Sequence, residues 1–284
     1  MSPSEPAARA PERTDPTWLP AEIDTSTAHP ARRYDYWLGG KDNFKADRES
    51  GDAVAAAFPE VRTAAIENRA FMRRVARFLA GEAGIDQFLD IGTGIPTSPN
   101  LHEIAQSFNP TARVVYVDND PIVLAHARAR LDSDPNGSTV YLDADIRRPD
   151  DILAHPDVRQ ALDFSRPLAL MVVAVLHFVP DADDPYRVVS RLVSELPPGS
   201  YVVLSHATSD FMPPSTATEV NDADKATKVT FQFRGHDEFA RFFDGLEIMP
   251  PGITSVAHWH ADDESQPRPT AAETAVYGAV ARVP

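Results

Sequence analysis

The chain has 284 residues, enough for one substantial hydrophobic core with a small appended element. Its 43% hydrophobic and 24% charged residues are the balance of a globular protein, and 27 Lys plus Arg against 42 Asp plus Glu leave a formal charge of −15 and a pI near 4.9. Such a surface repels phosphate backbones and disfavours nucleic acid as a partner. The absence of cysteine excludes disulfides, thiolate metal sites and cysteine nucleophiles.

Residues 1–30 are rich in Pro, Ala, Thr and charge and are expected to form a disordered arm. They hold no apolar stretch that would serve as a signal sequence, and no later run approaches the ~20 apolar residues of a membrane span. A cytoplasmic location without membrane contact is therefore the expectation. From Ala31 the run ARRYDYWLGGKDNF concentrates aromatic rings, charges and a Gly pair. Two helical stretches follow, the second over residues 63–80, where Phe71, Val75, Phe78 and Leu79 fall on one face. Residues 31–84 thus read as a helical lid, and residues 85–284 as the core of the same domain. The cluster Arg69, Arg73, Arg74 and Arg77 has the spacing of a solvated helix face.

A regular alternation starts at Gln87. QFLDI reads as a strand, residues 98–108 as a helix, and RVVYV as a second strand. Asp120-Pro121 supplies a helix cap followed by Pro in the first turn, opening a helix to Leu131. TVYLDAD and the unbroken apolar run PLALMVVAVL give the third and fourth strands. A helix over 185–195, the strand SYVVLSH, a helix over 236–243, a short strand over 246–248 and a last strand AVYGAVARV complete the pattern. Continuous apolar strands between helices indicate a parallel sheet covered on both faces, a doubly wound α/β architecture with an N-terminal helical lid. Ligands of such sheets sit beyond the carboxyl ends of the strands.

The residues at those ends carry the chemistry. The first strand runs into Asp90-Ile91-Gly92-Thr93-Gly94-Ile95-Pro96-Thr97. Two glycines permit a tight turn and a close approach of backbone to ligand. A dinucleotide fingerprint needs a third glycine where Thr97 stands, and Asp90 would lie unfavourably beside a pyrophosphate. A carboxylate there suits a ligand bearing an ammonium group. Asp118 ends the second strand, where it can accept both hydroxyls of a ribose, and Asp145 follows the third, where it can accept the exocyclic amine of adenine.

The ordered set FLDIGTGIPT, VVYVDNDP, LDADI and VVAVLHFV resembles the motifs of class I S-adenosylmethionine-dependent methyltransferases. With ARRYDYWLGGKDNF and ENRAFMRRVARFLA it is similar, from Ala31 onward, to an actinobacterial family of methyltransferases without an established substrate. The resemblance implies a Rossmann-like seven-stranded sheet whose last strand, near residues 275–282, runs antiparallel. It places Asp90 near the methionine amino group, with Gly92, Thr93 and Gly94 along the methionine moiety. Asp118 falls to the ribose, Asn119 and Pro121 beside the adenine, Asp145 and Ile146 against the adenine, and Ala174 to Leu176 on the sulfonium side. Pro96 departs from the third glycine found in many such enzymes.

Methyl transfer from a sulfonium needs a base only where the acceptor must lose a proton. His177 and His206, just after the fourth and fifth strands, are the histidine candidates, each with a packing role as the alternative. Tyr34 lies in the segment Arg33 to Asn43, which is expected either to fold over the cofactor and shape the acceptor pocket or to cap the sheet as a docked strap. His258-Trp259-His260, read as a strand, would set two imidazoles on one face, but further ligands are lacking and no metal site is expected. The leading expectation is an S-adenosylmethionine-dependent methyltransferase acting on a small molecule. The alternatives are a non-catalytic regulatory protein binding S-adenosylmethionine or S-adenosylhomocysteine, and a nicotinamide oxidoreductase, the latter disfavoured by Asp90 and Thr97.

Overall fold

The computed structural model describes residues 23–130 and 136–284. The expected disordered arm lies outside these over residues 1–22. Within residues 23–30, Ile23 packs against the cluster of Ile95, Ile122 and Val123, while residues 24–27 are exposed. Leu131, the expected end of the fifth helix, also lies outside the described residues.

Strands β1 (Gln87–Ile91), β2 (Arg113–Asp118), β3 (Ser138–Asp143), β4 (Ala169–Val172), β5 (Tyr201–Ala207), β6 (Glu247–Ile248), β7 (Thr254–Ser255) and β8 (Val276–Arg282) form a single sheet. Its order is β3-β2-β1-β4-β5-β8-β6, with the short β7 also paired to β8. The strands from β3 across to β5 run parallel, while β8 is antiparallel to β5 and β6. This is the expected Rossmann-like sheet with its reversed last strand, extended by β7. The order reverses between β1 and β4, the switch point at which such sheets bind ligands.

Alternate residues of each strand feed two cores. Leu89, Ile91, Val115, Val117, Leu170 and Val172 face one layer, and Phe88, Val114, Tyr116, Ala169 and Met171 the other. The first layer is closed by α6 (Pro149–Leu153), α7 (Pro156–Ala161), α8 (Pro185–Val193) and α10 (His236–Ala240), through Ile152, Val158, Val189 and Phe239. The second is closed by α3 (Val61–Arg77) and α4 (Leu101–Phe108). On α3, Phe71, Val75 and Leu79 just beyond it are fully buried, as the spacing predicts; each stabilises the fold by roughly 1.5–3 kcal/mol. Helix α5 (Pro121–Arg130) starts where Asp120 accepts the Ile122 N–H at 2.9 Å.

Several expectations change. The run Ala31 to Trp37, expected ahead of the lid helices, is itself most of helix α1 (Pro30–Trp37), followed by α2 (Lys45–Ala57). The fourth strand stops at Val172: Ala174 takes a left-handed φ of 61° and residues 176–178 form a turn of 3-10 helix. Helix α4 begins at Leu101 rather than residue 98. Helices α6, α7, α9 (Pro214–Ala226) and α11 (Ala271–Thr274) had no sequence counterpart; α9 is largely polar and buries only Val220 and Asp224. His258-Trp259-His260 lies in successive turns, not a strand. There Trp259 is wholly buried, edge-on to Phe71 at 5.7 Å and stacked on His260 at 4.0 Å.

The arginine cluster is not a solvated face either. Arg74 donates to the Val256 and Trp259 carbonyls (2.5 and 2.8 Å), tying α3 to the C-terminal turns. Arg73 donates to the Ser98 carbonyl at 3.1 Å and Arg69 to that of Thr97 at 2.7 Å, while Arg77 is exposed. Helix α3 lies beside the glycine turn, and carbonyls there attract guanidinium groups that helical spacing alone leaves facing water.

Candidate active site

A cavity of about 300 Å³ opens at the carboxyl ends of β1, β2, β3 and β4. Of the residues singled out from sequence, Asp90, Gly92, Thr93, Gly94, Asp118, Asn119, Asp145, Ile146, Ala174 and Tyr34 line it. Pro121 and Leu176 do not. Pro121 sits in the first turn of α5, and Leu176 is fully buried in the core because the chain turns after Val172.

The glycine turn is fixed from both sides. Gly92 has φ 76°, donates its N–H to the Val117 carbonyl at 2.7 Å, and lies so near the loop after β4 that a Cβ would come within 2.1 Å of Val175 Cγ2. Gly94 has φ 67° and donates to Asp118 Oδ2 at 2.8 Å; a Cβ there would meet nothing within 4 Å, so this backbone borders open space. Across the switch point, Ala174 is held in its left-handed conformation by an N–H bond to the buried Ser205 Oγ at 2.9 Å. A non-glycine residue held there costs on the order of 1–2 kcal/mol.

The three carboxylates differ in state. Asp90 is buried and pushed up to about 7: burial dominates, Arg69 and a Thr93 hydrogen bond pull it back, and Asp118 pushes it further. Asp118 is also raised by burial, against the pull of the Asp120 and Gly94 amides and His29; its Oδ1 accepts the Asp120 N–H at 2.9 Å. Asp145 is half-buried and gripped by Arg147, whose Nε and Nη2 reach its oxygens at 3.0 and 2.7 Å. Burial raises its pKa, but the Arg147 bonds outweigh this and hold it below the usual range.

Residues that the sequence reading passed over close the cavity. Asp120, read there as a cap, also takes Arg32 Nε at 2.9 Å and lies 2.9 Å from His29 Nδ1. Burial raises its pKa, yet the His29 bond and charge, the Ile122 amide and Arg32 hold it low. Asp120 thereby docks the N-terminal segment, so that His29, Pro30 and Tyr34 form a wall of the cavity. Arg69, also in that wall, brings a cation near Asp90. The signal for both lay in pairing residues far apart in sequence, which one chain read alone does not supply.

A second, apolar cavity of about 90 Å³ adjoins the first. Pro30, Tyr34, Asn68, Ala174 and Phe178 line both, and Trp37, Phe58, Met212, Phe231 and Phe233 are among its further walls. His177 belongs here, not to the larger cavity. It is buried, accepts the Ala207 N–H at 3.4 Å through Nδ1, and is kept well below the usual imidazole range by burial, then by His206, Arg33 and Arg234. The Tyr34 hydroxyl donates to the Ala65 carbonyl at 2.9 Å and accepts from Asn68 Nδ2 at 3.1 Å; burial raises its pKa. His206 lines neither cavity. Its ring nitrogens lie 2.7 Å from the Ala207 carbonyl and 2.8 Å from Arg234 Nη1, and burial drives its pKa down to about 3, so it packs as a neutral ring.

Fold and site together define a class I methyltransferase architecture: a parallel sheet with a reversed penultimate strand, a glycine turn at the switch point, and acidic residues after three successive strands. The chain belongs to the S-adenosyl methyltransferase family, whose profile it matches over residues 16–284, and its cofactor is S-adenosylmethionine. It is 49% identical to a DUF574 family protein from Streptomyces avermitilis, covering 92% of this chain and 100% of that one with a TM-score of 0.87. It is 42% identical to a protein from Thermobifida fusca described as a candidate methyltransferase, covering 94% and 98% with a TM-score of 0.84. No curated protein matches the chain. Among the described residues no helix is long and apolar enough to cross a membrane.

Proposed function

We propose that this methyltransferase transfers the methyl group of S-adenosylmethionine, held in the larger cavity, to a small-molecule acceptor held in the apolar one. The observation that carries the reading is the shared wall of Pro30, Tyr34, Asn68, Ala174 and Phe178, which brings the two cavities together beside the end of β4. A role confined to binding the cofactor leaves the second cavity without a use.

The donor set fits the cofactor. Asp90 receives the ammonium, and Arg69 beside it the carboxylate, of the methionine moiety along Gly92, Thr93 and Gly94. Asp118 has two of about four acceptor sites taken by backbone amides and offers the others to the ribose hydroxyls. Asn119, Ile146 and Asp145, the last oriented by Arg147, border the adenine, and Ala174 flanks the sulfonium side. The bound cofactor supplies a methyl group activated by a sulfonium. The protein contributes in-line placement of the acceptor and exclusion of water, with the α1 segment as cover. Tyr34 is a positioning residue, its hydroxyl already engaged on both sides. His177, flanked by Arg33 and Arg234, forms an imidazolium only at high cost, so its role is to orient the acceptor rather than to store its proton. The acidic surface and the small volume of the second cavity favour a small acceptor over nucleic acid.

Calorimetric titration with S-adenosylmethionine, S-adenosylhomocysteine and NAD, repeated on Asp118→Ala, tests the cofactor half. The first two ligands are expected to bind, NAD not, and the variant to lose about 100-fold, or ~2.7 kcal/mol. Undiminished binding by a folded Asp118→Ala would remove Asp118 from the ribose.

A further inference from the structure

Apolar side chains make up most of the second cavity's lining; of its polar residues Tyr34 and His177 have hydrogen-bond partners for the hydroxyl and Nδ1, as does the Thr274 hydroxyl, whereas Asp224 Oδ2, Arg33 Nε and Asn68 Oδ1 are buried polar atoms without a protein partner. The last three residues are 2%, 1% and 3% exposed. Arg33 Nη1 donates to Asp224 Oδ1 and, at 3.2 Å, to Ser50 Oγ, which uses only part of what a guanidinium and a carboxylate offer. A polar atom buried in a fold without a partner has given up its hydrogen bond to water and received none in return. Three such atoms around one small cavity are a cost that a ligand with matching groups removes.

We infer that the second cavity takes a compact, uncharged, largely apolar molecule carrying hydroxyl or amine donors, read by Asp224 and Asn68, with Arg33 beside them. The inference rests on the cavity being the acceptor site proposed above and specifies what that acceptor is. Size follows from comparing the volumes, about 90 Å³ against about 300 Å³ for the cofactor's cavity, so the part of the acceptor held there is on the order of a single ring. Neutrality follows from the Arg33–Asp224 pair, whose charges cancel: a ligand anion would face Asp224 and a ligand cation Arg33. The two readers divide the molecule between them. Asn68 lines both cavities, so the donor it receives is that of the group to be methylated. Asp224 lines only the second cavity and takes a donor elsewhere on the ring.

The test compares phenol, anisole, toluene and benzoate on the full chain saturated with S-adenosylhomocysteine, by ligand-observed NMR titration, in wild type and Asp224→Asn. Phenol is expected to bind at least fivefold tighter than anisole, which has the same body without the donor, and tighter than benzoate. Asp224→Asn, which can keep an oxygen for Arg33 and set an N–H donor in place of Oδ2, is expected to abolish or reverse the phenol preference. Anisole or toluene binding wild type as well as phenol would overturn the inference, as would benzoate binding best or no probe binding at all. These outcomes need no variant, so a poorly folding Asp224→Asn does not shield it. A folded Asp224→Asn that keeps the full preference would equally overturn it. The S-adenosylhomocysteine titration is read separately: its failure, with the phenol preference intact, would count against the cofactor assignments of the larger cavity and leave the second cavity's chemistry standing.

Discussion

The larger cavity draws its carboxylates from the ends of successive parallel strands, each with its backbone placed by the sheet: Asp118 at the end of β2, Asp90 within β1, and Asp145 just past β3. The smaller one draws its unpaired polar atoms from α1, α3 and α9, as Arg33, Asn68 and Asp224, with Arg33 and Asp224 separated by 191 residues. In the first region Asp118 is anchored to main-chain amides, those of Gly94 and Asp120. In the second the polar groups are anchored chiefly to one another and to apolar walls. Strand ends are fixed by the sheet as a whole, whereas the helices packed over them can change without disturbing those ends.

The sharpest way to break this contrast is Gly92→Ala. The left-handed φ and the 2.1 Å approach of a Cβ to Val175 Cγ2 together predict loss of ~2–5 kcal/mol of stability by urea denaturation, with at least tenfold weaker S-adenosylhomocysteine binding. A near-neutral result would mean that the loop after β4 yields freely and that the switch point is not rigid. Next in size is a pH effect. The free-protein pKa of Asp90 is about 7, and an ammonium held beside it favours the carboxylate and lowers that pKa in the complex. Binding is therefore strongest above the free pKa and weakens as pH falls through it, by about tenfold from pH 8 to pH 6. Asp90→Asn is expected to flatten this profile; a flat wild-type profile would take Asp90 away from the ammonium. The smallest effect is at the shared wall. Tyr34→Phe removes the hydroxyl between the Ala65 carbonyl and Asn68 and is expected to cost ~1 kcal/mol of thermal stability while leaving S-adenosylhomocysteine affinity within about twofold. A tenfold loss of affinity would show that the wall belongs to the cofactor's cavity more than to the acceptor's.

Much of the sheet was legible because its signals are local. QFLDI, RVVYV and SYVVLSH are apolar runs bounded by turns, and their alternate residues do enter the two cores. The strand-end acids follow from the same runs. What stayed hidden depended on distant partners. Helix α9 lacks an apolar stripe because its inward residues are Val220 and Asp224, and Asp224 is stable there only against Arg33. Arg69 and Arg74 read as solvated until carbonyls of the glycine turn and of the C-terminal turns come up to meet them. Nothing in PLALMVVAVL announces that the strand ends at Val172 and that Leu176, which the resemblance sets on the sulfonium side, turns into the core.

The sequence by itself determined the parallel sheet, its glycine turn and the carboxylates after three strands, since hydrophobic period and strand-end position are properties of short segments. Tertiary structure decided the docking of α1 through Asp120, the separation of His177 from the larger cavity, and the largely apolar chamber with its unpaired Asp224, Arg33 and Asn68 atoms. Those depend on which buried polar group meets which across the whole chain, and the cost of leaving one unmet is felt only once the elements are packed.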